Sequence, residues 1–319
     1  MDITDIKAAQ QRIQPYVKHT PLEYSESLSK RLGTRVHVKY ELFQKTGAFK
    51  ARGAFNKLLS MPDDERARGI VAVSGGNHAQ AVAYASEILG VDAVIVMPQS
   101  TPQVYVDATR GYGATVDLQP TMGDAFGKIK TYQDEGRVFV HPFDDPLIMA
   151  GQGTVGLEIL EDCPEATDVI LSIGGGGLAG GVATAVKSLK PEIEVWGVET
   201  VGADAMTRAM AAGLPVEMDA ITSIAKTLGA PHVSEATLGL ARKYLESVTV
   251  VTDAEAFEAL TFIAERLKVI TEPAASCTLA AAEKLRSNFT PDSNVVLILC
   301  GGNTGVADLC NYASMFAAA

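Results

Sequence analysis

The sequence is poor in cysteine, in tryptophan and in positive charge. Its 319 residues include four cysteines and one tryptophan, and aromatic residues make up 6%. The cysteines form no C-x-x-C pair and have no histidine nearby at zinc-site spacing, so we expect neither a disulfide nor a structural zinc. Acidic residues outnumber basic ones by 38 to 27, which gives a net charge of −11. This balance gives no electrostatic support to binding of nucleic acid or of an anionic membrane.

Long apolar runs are also missing. The chain begins MDITD, without the basic and apolar segments of a signal peptide, and no later run approaches the roughly 18 apolar residues of a membrane span. We therefore expect a cytoplasmic protein whose ligand is a small metabolite. Apolar residues make up 47% and charged residues 20%, which is typical of globular proteins, and the length allows two domains with a buried core.

Short β-branched runs alternate with helical segments along most of the chain. Such runs lie at residues 34–41, 70–73, 93–96, 114–116, 138–140, 169–173, 194–198, 247–250 and 294–299. Strands separated by helices predict an α/β fold with parallel-rich sheets covered by helices. Because residues 67–146 contain four strand–helix units, we predict a small domain there. It would be inserted in a larger domain of residues 1–66 and 147–319, with the ligand between the two.

The first chemically informative stretch is TGAFKARGAF, at residues 46–55. It places Lys50 directly after Phe49 and between two glycines. A lysine that attacks an aldehyde cofactor needs an apolar neighbourhood that lowers its pKa, and a backbone that lets the cofactor approach. Alone, the pattern also fits a solvated lysine near the start of a helix. Its interpretation depends on two glycine-rich stretches further along the chain.

The first of these stretches, SGGNHAQ, begins at Ser74, after a predicted strand and at the start of a helix. Free backbone amides there, together with the side chains of Ser74 and Asn77, form an anion site that suits a substrate carboxylate. The alternative is a turn in which Asn77 caps the helix while Gly75 and Gly76 merely permit the turn. His78 has no acidic partner in the sequence, and we interpret it as structural.

The second stretch contains four consecutive glycines, Gly174, Gly175, Gly176 and Gly177, between an apolar strand and an alanine-rich helix that includes Leu178. Glycine costs backbone entropy, so the run indicates that something approaches the main chain closely. A phosphate monoester at the helix start is the natural ligand. Tight packing of the backbone against a neighbouring element is the alternative.

A third run, LCGGN, ends a buried strand and places Cys300 at its carboxyl end. An inert core thiol is the ordinary interpretation. At this position, however, the thiol could also meet the ring nitrogen of a cofactor.

In their order along the chain, these stretches resemble the fold-type II pyridoxal-phosphate enzymes, in the branch that holds threonine dehydratase and serine racemase. The resemblance covers nearly the whole chain. It implies a two-domain enzyme in which Lys50 binds pyridoxal 5'-phosphate covalently and Phe49 packs on its ring. It further implies the following contacts: Asn77 with the phenolic oxygen, Gly174 to Gly177 and Leu178 with the phosphate, Cys300 with the pyridine nitrogen, and Ser74 to His78 with the substrate carboxylate.

The resemblance also implies a reaction. A thiol at Cys300 does not keep the pyridine nitrogen protonated, which weakens the ring as an electron sink and favours rapid loss of a β-hydroxyl group. Lys50 would take the α-proton. The expected enzyme is an L-threonine/L-serine dehydratase, an ammonia-lyase that gives a 2-oxo acid and ammonia. A phenylserine dehydratase is the first alternative, and a 3-hydroxyaspartate dehydratase or a serine racemase is the second.

Three differences within this family bear on the alternatives. Racemases carry a serine at Gly75, where it would supply a proton donor on the face opposite Lys50. The arginine that meets a distal carboxylate in relatives acting on dicarboxylic substrates falls, by an ungapped count, on Ala125. Phe143, where racemases have asparagine, is typical of threonine dehydratase. These differences favour dehydration of a substrate with an uncharged side chain.

Two further expectations from the resemblance concern a metal and the assembly. Serine racemases bind a divalent cation, such as magnesium or calcium, through residues that match Glu199 and Ala203 and through an aspartate where this chain has Ala205. Asp204 lies one residue out of register, so a metal requirement stays open. Because the family is usually dimeric, we expect a homodimer, and the apolar stretch at residues 221–225 is compatible with an interface.

Overall fold

Two parallel-rich β-sheets organise residues 1–316, the part of the chain that this computed structural model describes. The strands are β1 (Leu22–Tyr24), β2 (Arg35–Lys39), β3 (Ile70–Val73), β4 (Ala93–Pro98), β5 (Thr115–Gln119), β6 (Val138–Phe139), β7 (Asp168–Ser172), β8 (Glu194–Thr200), β9 (Ser247–Val251) and β10 (Asn294–Ile298). One sheet has the order β1-β2-β10-β7-β8-β9, and the other has the order β5-β4-β3-β6. Strand β1 pairs antiparallel with β2, and the other pairs are parallel.

Helices pack against both sheets. They are α1 (Ile3–Ile13), α2 (Glu26–Leu32), α3 (Lys50–Ser60), α4 (Asp63–Ala67), α5 (Asn77–Leu89), α6 (Gln103–Gly111), α7 (Met122–Asp134), α8 (Pro146–Asp162), α9 (Gly177–Leu189), α10 (Ala205–Ala212), α11 (Glu235–Tyr244), α12 (Asp253–Leu267), α13 (Pro273–Lys284) and α14 (Val306–Phe316). None of these described helices combines the length and the apolarity needed to cross a membrane.

The predicted fold class is confirmed. Each predicted strand is present, because buried β-branched residues fill the central strands of both sheets. Strand β1 was not predicted, since it has only three residues and none of them is buried. The four strands of the smaller sheet all lie within residues 67–146. The domain limits themselves stay a prediction.

Helix α3 lies against elements of both sheets. Ala54, Phe55 and Leu58 share a core with Ala79 and Val82 of α5, which follows the first strand of the smaller sheet. On another face, α3 packs along α8. Helix α8 in turn packs along α9, which follows β7 of the larger sheet. The helix that begins with Lys50 is therefore held from two directions.

Parallel pairing brings three of the predicted functional stretches to the carboxyl ends of strands. Ser74 directly follows β3, the four glycines follow β7 after one residue, and Cys300 follows β10 after one residue. Carboxyl ends of parallel strands meet at one edge of a sheet, where ligands of such folds bind. The topology therefore places the four glycines and Cys300 at one edge of the larger sheet, and Ser74 at the corresponding edge of the smaller sheet.

A buried ion cluster joins α3 to α8 and to strand β2 with the segment that follows it. Arg52, which is completely buried, donates to both oxygens of Glu41 at 2.7 and 2.8 Å and to both oxygens of Glu158 at 2.6 and 2.8 Å. Lys39 lies 2.6 Å from Glu158 and donates to the carbonyl oxygen of Thr20 at 2.7 Å. Two cations and two anions thus balance where water has no access, which is the condition for tolerating buried charge.

Replacing Arg52 with methionine should destabilise the fold strongly, because Glu41 would remain buried without a cation. We expect Arg52→Met to lower the free energy of unfolding by about 3–5 kcal/mol. Urea denaturation followed by circular dichroism measures this change. The control is Glu26→Gln, which breaks the exposed pair of Glu26 with Lys30 and should have little effect. Equal unfolding midpoints for the two variants would contradict the role of the cluster.

Candidate active site

A cavity of about 300 Å³ opens among the loops of both sheets. Its wall contains every residue that the sequence predicts for the cofactor and for the substrate carboxylate: Phe49, Lys50, Ser74 to His78, Gly174 to Gly177, Leu178 and Cys300. The first and last of these residues, Phe49 and Cys300, are far apart in the sequence and are thereby brought to the same cavity. Their individual roles stay predictions.

Lys50 is half-buried, and its side chain reaches the cavity. Its Nζ donates a hydrogen bond of 2.8 Å to the carbonyl oxygen of Pro142. Burial lowers the pKa of Lys50 to about 8, although the nearby Cys300 acts in the opposite direction. A large fraction of the amine is therefore neutral near pH 8, as a nucleophile requires.

The backbone before Lys50 is fixed against the end of β10. The amide of Phe49 donates to the carbonyl oxygen of Cys300 at 3.1 Å, and Ala48 forms a β-bridge with Gly301. Gly47 has a φ of 73°, and a Cβ there would lie 2.6 Å from the side chain of Asn303. Glycine is therefore required at this turn for both conformation and space.

Two helices begin at the cavity wall without a side-chain cap. Gly76 is the N-cap of α5 and Gly176 is the N-cap of α9, and in the described structure neither N-cap residue provides a side-chain acceptor for the amides of its helix. Each start presents backbone amides and the positive end of a helix dipole. Both helix starts at the cavity are therefore candidates for binding an anion. The alternative that Asn77 caps its helix is wrong, since Asn77 is the first helical residue.

The glycine run also has a packing role. A Cβ at Gly175 would lie 2.2 Å from the ring of Phe143, and Gly176 has a φ of 90°. Bulkier residues would push Phe143 away or strain the backbone. Close packing therefore accounts for glycine at Gly175, and the anion site at this loop stays a prediction.

Glu272 is a site residue that sequence reasoning missed. Its carboxylate is buried and accepts hydrogen bonds from Asn77 Nδ2 at 2.7 Å and from Thr227 Oγ1 at 2.5 Å. Asn303 Nδ2 in turn donates to Asn77 Oδ1 at 2.7 Å and to the carbonyl oxygen of Thr46 at 2.7 Å. Both polar ends of the Asn77 side chain are thereby oriented. The only local signal for Glu272 is its position before Pro273, where α13 begins.

Cys300 is a buried thiol at the cavity wall. Its Sγ lies 4.0 Å from Ser172 Oγ and 3.7 Å from the carbonyl oxygen of Ala274. Burial, followed by the charge of Glu272, raises the pKa of Cys300 well above its ordinary value. The side chain of Cys300 is therefore an uncharged thiol and carries no negative charge at the cavity wall.

His78 is neutral in this environment. It is buried, and its Nε2 lies 3.0 Å from the carbonyl oxygen of Val140. Burial, helped by the charge of Lys50, lowers the pKa of His78 to about 3. The ring is thus suited to supporting the end of the smaller sheet, as its structural interpretation requires, and not to carrying a charge.

The wall on the side of α7 is apolar. Phe126 and Met122 line the cavity, whereas Ala125 is completely buried in the core of the smaller sheet. Ala125, on which the ungapped count falls, therefore does not line the cavity, whereas its neighbour Phe126 does. Among the described lining residues, the cations besides Lys50 are limited to Lys226, which is exposed.

The residues predicted from the racemase metal site lie outside this cavity and do not fit a cation. Both oxygens of Glu199 accept hydrogen bonds from the start of α10, from Met206 N and Thr207 N at 2.8 Å each. Ala203 is buried, and Ala205 brings no oxygen ligand. Burial raises the pKa of Glu199 to about 7, so this group is only partly ionised near neutral pH. Glu199 is thus engaged by a helix start.

A second group of metal-binding residue types, not predicted from the sequence, lies away from the cavity. The ligand atoms of His37, Cys163 and Glu165 lie within 4.8 Å of one another. Burial raises the pKa of Cys163 to about 12, so the thiol is protonated in the metal-free protein. The cysteines of the described residues are all free, as expected.

The chain matches a family described as "Pyridoxal-phosphate dependent enzyme" over residues 13–301. It is 39% identical to an L-threonine ammonia-lyase of Thermotoga maritima, over 95% of this chain and 76% of the relative. It is 40% identical to a phenylserine dehydratase of Ralstonia pickettii, over 98% of this chain and 96% of the relative. Among solved structures, it is similar to maize serine racemase, with a TM-score of 0.93, 36% identity, and coverage of 99% of this chain and 97% of that one.

The lowered pKa of Lys50 can be measured by competitive labelling. Trace acetic anhydride acetylates only the neutral amine, so labelling of Lys50 should reach half its maximum near pH 8. Ordinary lysines in the same digest should do so near pH ~10.4. Peptide mass spectrometry of ligand-free protein over pH 6 to 11 gives both curves. A Lys50 curve that coincides with those of the surface lysines would contradict the assignment.

Proposed function

Because the chain belongs to the family of pyridoxal-phosphate-dependent enzymes, we propose that it removes water from L-threonine and L-serine to give a 2-oxo acid and ammonia. The observation that carries this proposal is the amine of Lys50, with a pKa of about 8, in a cavity with two uncapped helix starts. Such an enzyme needs one nucleophilic amine, one phosphate site and one carboxylate site. The cavity has a candidate for each.

The residues at the cavity fit the cofactor. Lys50 would hold its aldehyde carbon, and the amides at the start of α9, near Gly177 and Leu178, would hold its phosphate. Asn77 would meet its phenolic oxygen, and Cys300 its ring nitrogen. The cofactor, when bound, supplies an electron sink for a bond broken at the α-carbon of an amino acid. A neutral thiol at Cys300 adds no charge beside that sink.

The protein's own groups would bind the substrate and move protons. The start of α5, with Ser74 and Asn77, is proposed to bind the substrate carboxylate and so to fix the α-carbon. The neutral amine of Lys50 would then take the proton from that carbon. Before the cofactor binds, the hydrogen bond of Lys50 to the carbonyl oxygen of Pro142 holds the amine at the cavity wall. The partial burial of the cavity limits the access of water to the reacting groups.

Threonine and serine are favoured by relatives and by the shape of the wall. Several relatives near 38% identity are named for threonine, including the Thermotoga ammonia-lyase. An apolar wall at Phe126 and Met122 accepts the methyl group of threonine. The same wall would also accept a phenyl ring, and the Ralstonia relative is named for phenylserine. Phenylserine dehydratase is therefore the second candidate function.

The remaining alternatives are less well supported. A hydroxyaspartate substrate brings a second carboxylate, which is costly to bury without a partner. Phe126 offers it no charge, and Lys226 is exposed, so solvent screens its attraction. Racemisation needs a proton donor on the second face. Gly75 itself has no side chain to provide one, although the hydroxyl of Thr101 lies beside it.

A homodimer and a cytoplasmic location are also part of the proposal. The stretch at residues 221–225, which the sequence suggested for an interface, is largely turned inward. Ser223, Ile224 and Ala225 are buried within one chain, and the last two line the cavity. This segment therefore gives the proposed dimer no support.

The role of Lys50 predicts a coloured enzyme. With added pyridoxal phosphate, the purified chain should gain a visible absorption band, and borohydride should remove the band and leave a stable mass increase on Lys50. Lys50→Ala should lose the band and reduce ammonia release by at least about 10²–10⁴-fold. Lys7→Ala, an exposed control on α1, should keep both. A colourless wild-type protein would contradict the proposal.

The substrate is tested by kcat/KM for ammonia release from L-threonine, L-serine, L-threo-3-phenylserine and L-threo-3-hydroxyaspartate. We expect threonine and serine to lead, and hydroxyaspartate to be at least about 100-fold poorer because its second charge is unpaired.

A clear preference for hydroxyaspartate would contradict our interpretation of the wall at Phe126. A preference for phenylserine by more than ~100-fold would move the function to the second candidate. A smaller preference would not, because one methylene group in an apolar pocket already changes kcat/KM by the equivalent of ~1–3 kcal/mol. Formation of D-serine as fast as pyruvate would reveal a racemase.

A further inference from the structure

Thr101 carries a hydroxyl group that is buried and unpaired at the cavity wall. In the described residues, four buried hydroxyls have no hydrogen-bond partner, on Thr46, Ser86, Thr101 and Thr271. Of these four residues, Thr101 is the one that lines the cavity. A buried hydroxyl without a partner costs free energy, so a retained one indicates a partner that arrives later.

The backbone that carries this hydroxyl is held in place by its neighbours. Thr101 lies in the turn between β4 and α6, and its amide donates to the carbonyl oxygen of Pro98 at 2.9 Å. Pro102 follows as the N-cap of α6, and proline restricts the conformation of the residue before it. The side chain is therefore held on a rigid turn rather than on a free loop.

Because Gly75 has no side chain, the hydroxyl of Thr101 lies directly against the loop that is proposed to bind the carboxylate. A Cβ on Gly75 would lie 2.7 Å from Thr101 Oγ1, which is too close for any side chain to coexist with the hydroxyl in its present place. Gly75 has no positive φ, so its conformation does not demand glycine. The requirement at Gly75 is space, and Thr101 takes up that space.

We propose that the hydroxyl of Thr101 donates a hydrogen bond to the carboxylate of the bound amino acid, beside the amides at the start of α5. A carboxylate has about four acceptor sites, and a hydroxyl beside the helix amides is a suitable further donor to it. Ser74 Oγ already accepts a bond from the amide of Gly76 at 3.1 Å. This inference rests on the proposed function only in assigning the loop from Ser74 to His78 to the substrate carboxylate.

The experiment uses the cofactor-loaded enzyme and L-alanine, which has the carboxylate and the amine but no β-hydroxyl to lose. Calorimetric titration should show that Thr101→Val weakens L-alanine binding about 10-fold, as expected for a hydrogen bond to a charged group. Thr101→Ser keeps the hydroxyl and should stay within about 2-fold of the wild type. L-alaninamide, which has no carboxylate, should bind Thr101→Val and the wild type equally.

Two controls separate binding from folding. Ser86→Ala removes a buried unpaired hydroxyl outside the cavity and should leave L-alanine binding unchanged. Thr101→Val should melt at the same temperature as the ligand-free wild type or higher, because it removes an unpaired polar group. A merely structural role for Thr101 would instead lower both the melting temperature and the affinity.

Unchanged L-alanine affinity in Thr101→Val would overturn the proposal. So would a loss of kcat/KM with L-serine that has no counterpart with L-alanine, since that pattern would assign Thr101 to the β-hydroxyl. The L-alanine titration does not require elimination of water. If no substrate is dehydrated, the proposed function fails, while the assignment of Thr101 is still decided by binding.

Discussion

The ion cluster around Arg52 is the constraint on which the geometry of the site depends. Arg52 and Lys50 lie in the first turn of α3, so fixing the guanidinium group also fixes the start of the helix that bears the amine. The bonds of Arg52 to Glu41 and Glu158 are mutually dependent, since a shift of the helix would leave several buried charges unpaired at once. An apolar contact would tolerate sliding, whereas this cluster has few acceptable geometries.

The fold was largely predictable because its signals are local. Runs such as residues 294–299 are β-branched and buried on both faces, and the helices between them follow ordinary starts, as at Asp145, which caps α8 ahead of Pro146. The ion cluster was not predictable. Glu41 and Glu158 lie 11 and 106 residues from Arg52, and charged residues are usually solvated, so no local pattern marks these two as buried.

The residues of the candidate site also fall into two groups, those that the sequence reveals and those that it does not. Lys50 and the two glycine-rich loops are visible in the sequence, because a backbone that must approach a ligand needs glycine at defined positions. Glu272 and Thr101 are not visible, because an acid before a proline and a threonine in a turn have common structural explanations. Their significance arises only when Asn77, 195 residues from Glu272, and Gly75 are brought to the same wall. Ala125 lies in the core although its neighbour Phe126 lines the cavity, because a helix turns about 100° per residue and adjacent side chains face different directions.

The charges around the cavity determine how the proposed anion sites, Cys300 and Glu272 affect the pKa of Lys50. Its proposed anion sites are helix starts, which attract anions through backbone amides without adding a net charge or a flexible side chain. A guanidinium in their place would lower the pKa of Lys50 further and would also attract dicarboxylic substrates. An ionised acid at Cys300 would act in the opposite direction, by keeping Lys50 protonated. With a neutral thiol there, and with the oxygens of Glu272 engaged by Asn77 and Thr227, the pKa of Lys50 stays near 8, so part of the amine is neutral and nucleophilic near physiological pH. The selection of the substrate side chain is then left to the shape of the apolar wall.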